Sequence, residues 1–99
     1  MDSDIKEQLA TLEHAICAKL RPTFLIITDP TLNQDGDIYI IISTIAFKNM
    51  SVAQRVKSVF SLISKYTPDI LEDRLIIIQT YSSSEIEDVI EDAFDEGNN

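Results

Sequence analysis

The stretch from Asp37 to Val59 constrains the fold most, because a short apolar run there leads directly into a helical pattern. The run Ile38–Ile42 is rich in β-branched residues and has the length of a buried strand. After a break at residues 47–50, apolar residues recur at helical spacing, at Val52, Val56, Val59, Phe60 and Ile63. Ser51 and Gln54 have the spacing of a capping box, so the helix is predicted to begin at Ser51. A central strand followed by a helix is therefore expected.

A helix and another strand are predicted to precede this stretch. Residues 4–20 carry an apolar stripe at Ile5, Leu9, Leu12, Ile16 and Leu20, and Pro22 ends the helix because proline removes a backbone donor. Thr23–Thr28 has the composition of a strand. The loop Asp29–Asp37 is dense in turn-forming residues and leads straight into the next strand. A β-hairpin with a long loop is the resulting prediction.

The second half of the chain predicts a crossover unit and a final helix. Thr67 precedes Pro68, so the long helix should stop near Tyr66, and a short helix should follow through residues 69–72. Leu75–Tyr81 is the third predicted strand, and a strand–helix–strand order makes the second and third strands parallel. An acidic helix is expected over about residues 85–94, with an apolar stripe at Ile86, Val89, Ile90, Ala93 and Phe94. A frayed tail is expected over 95–99.

These elements predict one α+β domain over residues 1–99. Its three-stranded mixed sheet should be covered mainly on one face by helices. If the other face is open, Tyr39, Ile41 and Ile77 would form an apolar patch there. Such patches mark interaction surfaces, and a homodimer is one expectation.

The charge of the chain limits its partners. The formal net charge is −9, which argues against a generic nucleic-acid-binding protein, because phosphate binding needs a basic surface. Seven of the 17 acidic residues lie in the last fifteen positions, so the remainder is nearly balanced. The N-terminus is polar, and no apolar run is long enough to span a bilayer. We therefore expect a cytoplasmic protein that does not contact membranes.

Residues for catalysis or metal binding are scarce. Cys17 is the single cysteine and His14 the single histidine, and both fall on the first helix. They are interpreted as an inert thiol and a solvated imidazole. Asn33, Asp35 and Asp37 alternate as in a calcium loop, but Ile42 stands where the loop requires glutamate. We expect no enzyme activity, no cofactor and no metal site.

The order αββααβα is similar to that of the BolA-like proteins, a small α+β fold related to type II KH domains. In that family a strand ends in an aromatic residue, and a turn leads to a serine at the helix start and an arginine four residues later. Phe47, Ser51 and Arg55 match this motif. Residues 79–85 resemble the family's passage from third strand to last helix. The resemblance covers about residues 5–94 and implies a non-enzymatic interaction or regulatory module.

Two departures from the family concern an iron–sulfur cluster. BolA-like proteins carry a histidine at the start of the third strand, where this chain has Arg74. They often carry another histidine or cysteine in the hairpin loop, and Asp29–Asp37 has neither. Those residues let family members share a [2Fe–2S] cluster with a monothiol glutaredoxin. Arginine stays protonated and cannot ligate iron, so the resemblance implies binding of such a partner without the usual cluster ligands.

Three functions remain open at this point. A protein-binding module is the first, with partner contacts predicted at Arg55, Lys57, Lys65, Arg74, Asp35 and Asp37. The second is a nucleic-acid-binding regulator that uses the cations of the long helix, which the net charge disfavours. The third is an acidic dimeric adaptor or small chaperone.

Overall fold

The computed structural model describes residues 2–32 and 36–89, and its element order is the predicted αββααβα. Two 3₁₀ turns, Pro30–Leu32 and Ile45–Phe47, flank the second strand. The elements are α1 (Asp2–Leu20), β1 (Phe24–Ile27), β2 (Ile38–Ser43), α2 (Val52–Tyr66), α3 (Pro68–Asp73), β3 (Ile76–Tyr81) and α4, described over 83–89.

The sheet is mixed, with the strand order β1-β2-β3. β1 and β2 form the predicted antiparallel hairpin, in which Ile26 lies opposite Ile41. β2 and β3 are parallel, with Ile40 opposite Ile78. The chain passes from β2 to β3 through α2 and α3, so the crossover prediction is confirmed.

The core lies on one face of the sheet, between the strands and the first three helices. Ile38, Ile40 and Ile42 alternate along β2 and are fully buried. They pack with buried residues of the helices and of the 3₁₀ turn, namely Leu12, Ile16, Phe47, Val59, Ile63 and Ile70. Such alternation is typical of a sheet that buries one face.

Both predicted boundaries of α2 are confirmed. Ser51 Oγ accepts a hydrogen bond from Gln54 N at 3.2 Å, and Gln54 Oε1 accepts one from Ser51 N at 2.8 Å. This capping box pairs two backbone donors that the helix itself leaves free. At the other end, Thr67 N and Oγ1 both donate to Ile63 O. Pro68 then begins α3, where its missing N–H removes no helical hydrogen bond.

The predicted apolar stripe of α2 is wrong for Val52 and Phe60, which are 64% and 46% exposed. Val52 lies in the first turn, where Arg55 takes the inward position instead. Phe60 follows Val59 and is therefore rotated about 100° away from the core-facing line. Val59 and Ile63 are buried as predicted.

The described part of α4 contains two residues of the apolar stripe that was predicted for the acidic helix. Ile86 is buried and Val89 is 44% exposed. The other predicted stripe residues, Ile90, Ala93 and Phe94, and the predicted tail 95–99 lie outside the described residues.

None of the helices in the described ranges has both the length and the apolar character that a bilayer span requires.

Candidate functional site

The hairpin loop and the start of β3 meet at one end of the sheet. Because β1 is antiparallel to β2 and β3 is parallel to it, the end of β1 lies beside the starts of β2 and β3. We call the group Asp29, Gly36, Asp37 and Arg74 the loop end. The C-terminal turn of α2 belongs to the same side, since the crossover returns from there through α3 to the start of β3.

Arg74 is tied to the loop. It follows α3 in an extended conformation, is half-buried, and donates a hydrogen bond from Nη1 to Gly36 O at 3.0 Å. Gly36 has φ +73°, and a Cβ added there would lie 3.4 Å from Arg74 Nη1. Glycine adopts this backbone conformation without the steric penalty of an L side chain. The arginine at the family's histidine position therefore has a partner within the fold.

The carboxylate of Asp29 is held ionised at the same end. Its Oδ1 accepts hydrogen bonds from Thr31 Oγ1 at 2.6 Å and Thr31 N at 2.9 Å. These bonds, with smaller contributions from the charges of Lys6 and Arg74, hold the pKa of Asp29 below its ordinary value of 3.8. The loop end thus presents an anion and a cation close together.

The other loop carboxylates are Asp37, which is half-buried beside Gly36, and Asp35, which lies outside the described residues together with Asn33. No group of three or more His, Cys, Asp or Glu residues that could hold a metal ion occurs within residues 2–32 and 36–89.

Neither side chain that could ligate iron through nitrogen or sulfur belongs to the loop end. His14 and Cys17 are exposed on α1. Lys6 is the α1 residue whose charge acts on Asp29 of the loop end, and His14 and Cys17 follow it by eight and eleven residues. At 1.5 Å per residue they lie roughly 12 and 16 Å further along the helix axis. The loop end therefore gains no imidazole or thiolate from this helix.

The matched family motif forms a structural unit at the opposite end of the sheet. The side chain of Arg55 is only 9% exposed. Its Nε donates to Met50 O at 3.1 Å, and its guanidinium lies 5.9 Å from the centroid of the Phe47 ring. Ser51 caps the helix that carries Arg55. These contacts connect the 3₁₀ turn to the first turn of α2.

Arg55 also pairs with Glu85 of α4, a contact that our sequence reasoning missed. Arg55 Nη1 donates to Glu85 Oε1 at 2.7 Å, and the same oxygen accepts from Ser82 N at 2.7 Å. Glu85 N in turn donates to Ser82 Oγ, which completes a capping box. The serine–glutamate spacing was visible in the sequence, but the arginine partner was not.

These contacts lower the pKa of Glu85 from its ordinary 4.5 to about 2. The hydrogen bond from Ser82 N contributes most, followed by the bonds from Arg55 and from the Ser82 hydroxyl. A cavity of about 310 Å³ lies beside the pair and is lined by Thr44, Ile45, Lys48, Arg55, Ser82, Ser83 and Ser84.

The two lysines predicted as contacts are exposed on α2. Lys57 borders a shallow cavity of about 400 Å³, and the Lys65 ammonium lies 5.2 Å from the centroid of the Tyr66 ring. Arg55, the third predicted cation of this helix, is buried and paired. For the nucleic-acid alternative, α2 therefore offers two exposed cations on a chain of net charge −9.

The predicted partner contacts thus lie in separate places. Arg74 and Asp37 come together at the loop end, and Lys65 is on the same side in the last turn of α2. Arg55 lies at the opposite end with Glu85, and Lys57 lies between them on the helix surface.

No protein-family model and no curated protein matches this chain. Solved structures do. BolA1 from Arabidopsis thaliana is 19% identical with a TM-score of 0.63, covering 79% of this chain and 94% of that one. The BolA domain of SufE1 from Arabidopsis thaliana is 18% identical with a TM-score of 0.60, and the match covers 80% of this chain and 94% of that domain. A bol-like protein from Babesia bovis is 20% identical with a TM-score of 0.64, covering 79% and 87%. The predicted BolA-like fold is confirmed.

Proposed function

Starting from the BolA-like fold, we propose that this chain is a small, non-enzymatic interaction module. Its loop end binds a protein partner of the monothiol-glutaredoxin type without supplying cluster ligands. The observation that carries the proposal is the hydrogen bond from Arg74 to Gly36 O. It joins the position of the family's histidine to the hairpin loop, where the family's other ligand would lie.

Cluster ligation is excluded from the proposal by the donor chemistry. Iron–sulfur clusters take thiolate or imidazole ligands, and a guanidinium offers no free lone pair. The sequence of the loop, residues 29–37, contains neither histidine nor cysteine. A contact with the partner would therefore rest on shape and charge alone.

The charges of the loop end are suited to a polar protein contact. Asp29 is ionised, Arg74 is cationic and half-buried, and Lys65 is exposed on the same side. Mixed charges of this kind fix the orientation of a partner more than they raise its affinity. We assign the direct contacts to Arg74, Lys65, Asp35 and Asp37, with Lys57 at the margin. Arg55 would contribute by holding α2 in place.

The proposal is non-enzymatic because Arg74 and Glu85, at opposite ends of the sheet, are both held by hydrogen bonds within the fold. Arg74 bonds to the loop backbone, and Glu85 accepts from Arg55 and Ser82. His14 is exposed on α1, and within residues 2–32 and 36–89 it forms no hydrogen bond with a nucleophilic side chain.

An amide NMR titration of the labelled protein with a monothiol glutaredoxin tests the proposal. We expect shifts concentrated at residues 29–37, Arg74 and the last turn of α2, with and without the cluster on the partner. Arg74→Glu should weaken binding, whereas Lys48→Glu at the opposite end of the sheet should leave it unchanged. A flat titration at high protein concentration would rule the proposal out.

A second variant tests the missing ligand. Arg74→His restores the family's residue, and we expect it to change the visible absorption and circular dichroism of the cluster-loaded mixture. The unaltered protein should leave both spectra as they are in the glutaredoxin alone. Spectral change with the unaltered protein would show that it does supply a ligand.

A further inference from the structure

The sheet face that points away from the core is apolar across all three strands. Side chains alternate along a strand, so the residues between the core positions share the opposite face. Tyr39 and Ile41 occupy it on β2, and the register places Ile77 beside Tyr39 and Ile26 beside Ile41. We define the outer face as Phe24, Ile26, Tyr39, Ile41, Leu75, Ile77 and Tyr81.

The outer face is accessible and uncharged. Leu75 and Ile26 are 62% and 42% exposed, and the other five residues are half-buried. None of the seven belongs to the core cluster that packs against the helices. Ser43 and Gln79 complete the face, and Ser43 is buried where its Oγ donates to Ser82 O. No strand residue on this face carries a charge.

The dimensions of the outer face match one helix. Three strands about 4.8 Å apart, two of six residues and one of four, at about 3.3 Å per residue, give a surface of at most roughly 14 by 20 Å. A helix with its side chains is about 10 Å wide, and about 13 residues span 20 Å. The footprint of roughly 280 Å² is near the size of functional apolar patches on monomers.

A second copy of the chain fits this face poorly. Stable interfaces bury about 800 Å² per partner, well above what the outer face alone offers. The remaining surface would have to join, and two copies would bring together net charges of −9 each. Like charges across an interface oppose association. Both area and charge therefore favour a smaller, cationic occupant.

We propose that the outer face docks a basic amphipathic helix of a partner protein. Its apolar side lies on Ile26, Tyr39, Ile41 and Ile77, with Leu75 at the margin, and its cationic flanks complement the acidic chain. The ionised Asp29 stands beyond the end of β1 at one border of the face. The outer face adjoins the loop end at this border but shares none of its residues, so the proposal does not rest on the proposed function.

The test uses a synthetic peptide of about 14 residues, with leucines at three- and four-residue spacing and lysines on both flanks. A matched peptide carries glutamates in place of the lysines. Ile26→Ser and Leu75→Ser remove exposed apolar area from the face. Ile45→Ser is the control, because Ile45 is 68% exposed but lies in the 3₁₀ turn before α2. Amide spectra of the variants verify that they are folded.

We expect the lysine peptide to shift amides of all three strands and to bind about tenfold or more weakly to each face variant. The Ile45 variant should bind it as the unaltered protein does, and the glutamate peptide should bind about tenfold more weakly or not at all. Equal binding of the lysine peptide and the glutamate peptide would contradict a basic partner and overturn the proposal. Sedimentation showing self-association that Leu75→Ser abolishes assigns the face to a second copy and overturns the proposal. Absence of binding by the lysine peptide also overturns it.

Discussion

Arg55 Nη1 lies 2.7 Å from Glu85 Oε1, and this ion pair joins the first turn of α2 to the first turn of α4 across thirty residues of sequence. The arginine is almost wholly buried, whereas the glutamate side chain is 49% exposed. The pair therefore connects the core side of one helix to the solvent side of another. Since Glu85 also caps its own helix, one carboxylate holds both elements.

Acid should weaken this connection. The folded protein lowers the pKa of Glu85 to about 2, so ionised Glu85 stabilises the fold above the ordinary value of 4.5, and this stability is lost as the pH falls toward 2. We expect Glu85→Gln to lower the free energy of unfolding at pH 6, and the difference from the unaltered protein to vanish near pH 2. Urea unfolding at several pH values measures it.

Glu87→Gln is the control for that series, because Glu87 is an exposed neighbour on the same helix. At pH 6, Glu87→Gln should change the free energy of unfolding by less than Glu85→Gln does. A Glu85 carboxyl that titrates near 4.5 in the folded protein by NMR would contradict the expectation.

Arg55→Ala should destabilise the protein by about 1–3 kcal/mol, because it leaves Met50 O without its donor and uncovers the Phe47 ring. The lower part of that range allows for the exposure of Glu85 to water. Chemical unfolding gives the value. Lys57→Ala is the control, because Lys57 is exposed two residues further along the same helix, and it should lower the free energy of unfolding by less than about 0.5 kcal/mol. Equal losses of stability for the two variants would place Arg55 on the surface.

The two sides of α2 should respond differently to truncation. Phe60→Ser, at an exposed position, should change the free energy of unfolding by less than about 1 kcal/mol, whereas Ile63→Ala should lower it by about 2–5 kcal/mol. Thermal or urea unfolding compares them directly. If Phe60→Ser lowered the free energy of unfolding as much as Ile63→Ala does, Phe60 would belong to the core-facing stripe that the sequence predicted.

Gly36→Ala should lower stability by about 1 kcal/mol, because its φ of +73° lies in a region that L residues rarely adopt. The added Cβ would also lie against Arg74 Nη1, so the Arg74 and loop amides should shift in the NMR spectrum. Gly36→Asn is the comparison, because asparagine adopts a positive φ more readily than alanine and should cost less. An equal loss of stability for the two variants would remove the argument from backbone conformation.

Local signals explain why the fold could be predicted from the sequence. Ser51 with Gln54 marks the start of α2, and Thr67 with Pro68 marks its end, because caps and proline act on neighbouring backbone groups. The alternation of Ile38, Ile40 and Ile42 was hidden in a continuous apolar run. In the structure, Ile38, Ile40 and Ile42 of this run face the core. Tyr39 and Ile41, between them, belong to the outer face.

The candidate sites depend on pairs that are distant in sequence, and such pairs leave no local signal. Arg74 and Gly36 are 38 residues apart, and Arg55 and Glu85 are 30 apart. A cation on a helix is most often exposed, so the burial of Arg55 could not be predicted from its residue type. Its burial rests on contacts with Met50 O and the Phe47 ring and on the distant partner Glu85.

The parallel pairing of β2 with β3 has a consequence for how the chain is made. Ile38 meets Ile76 only after 38 further residues have been added, whereas the hairpin partners Ile26 and Ile41 are 15 apart. Nearby contacts close sooner, so the hairpin can form while β2 still has one unpaired edge. Until β3 emerges from the ribosome, that edge presents the unpaired backbone N–H and C=O groups of an isoleucine-rich strand to other nascent chains. Slow emergence of residues 44–76 from the ribosome would prolong this exposure and favour aggregation.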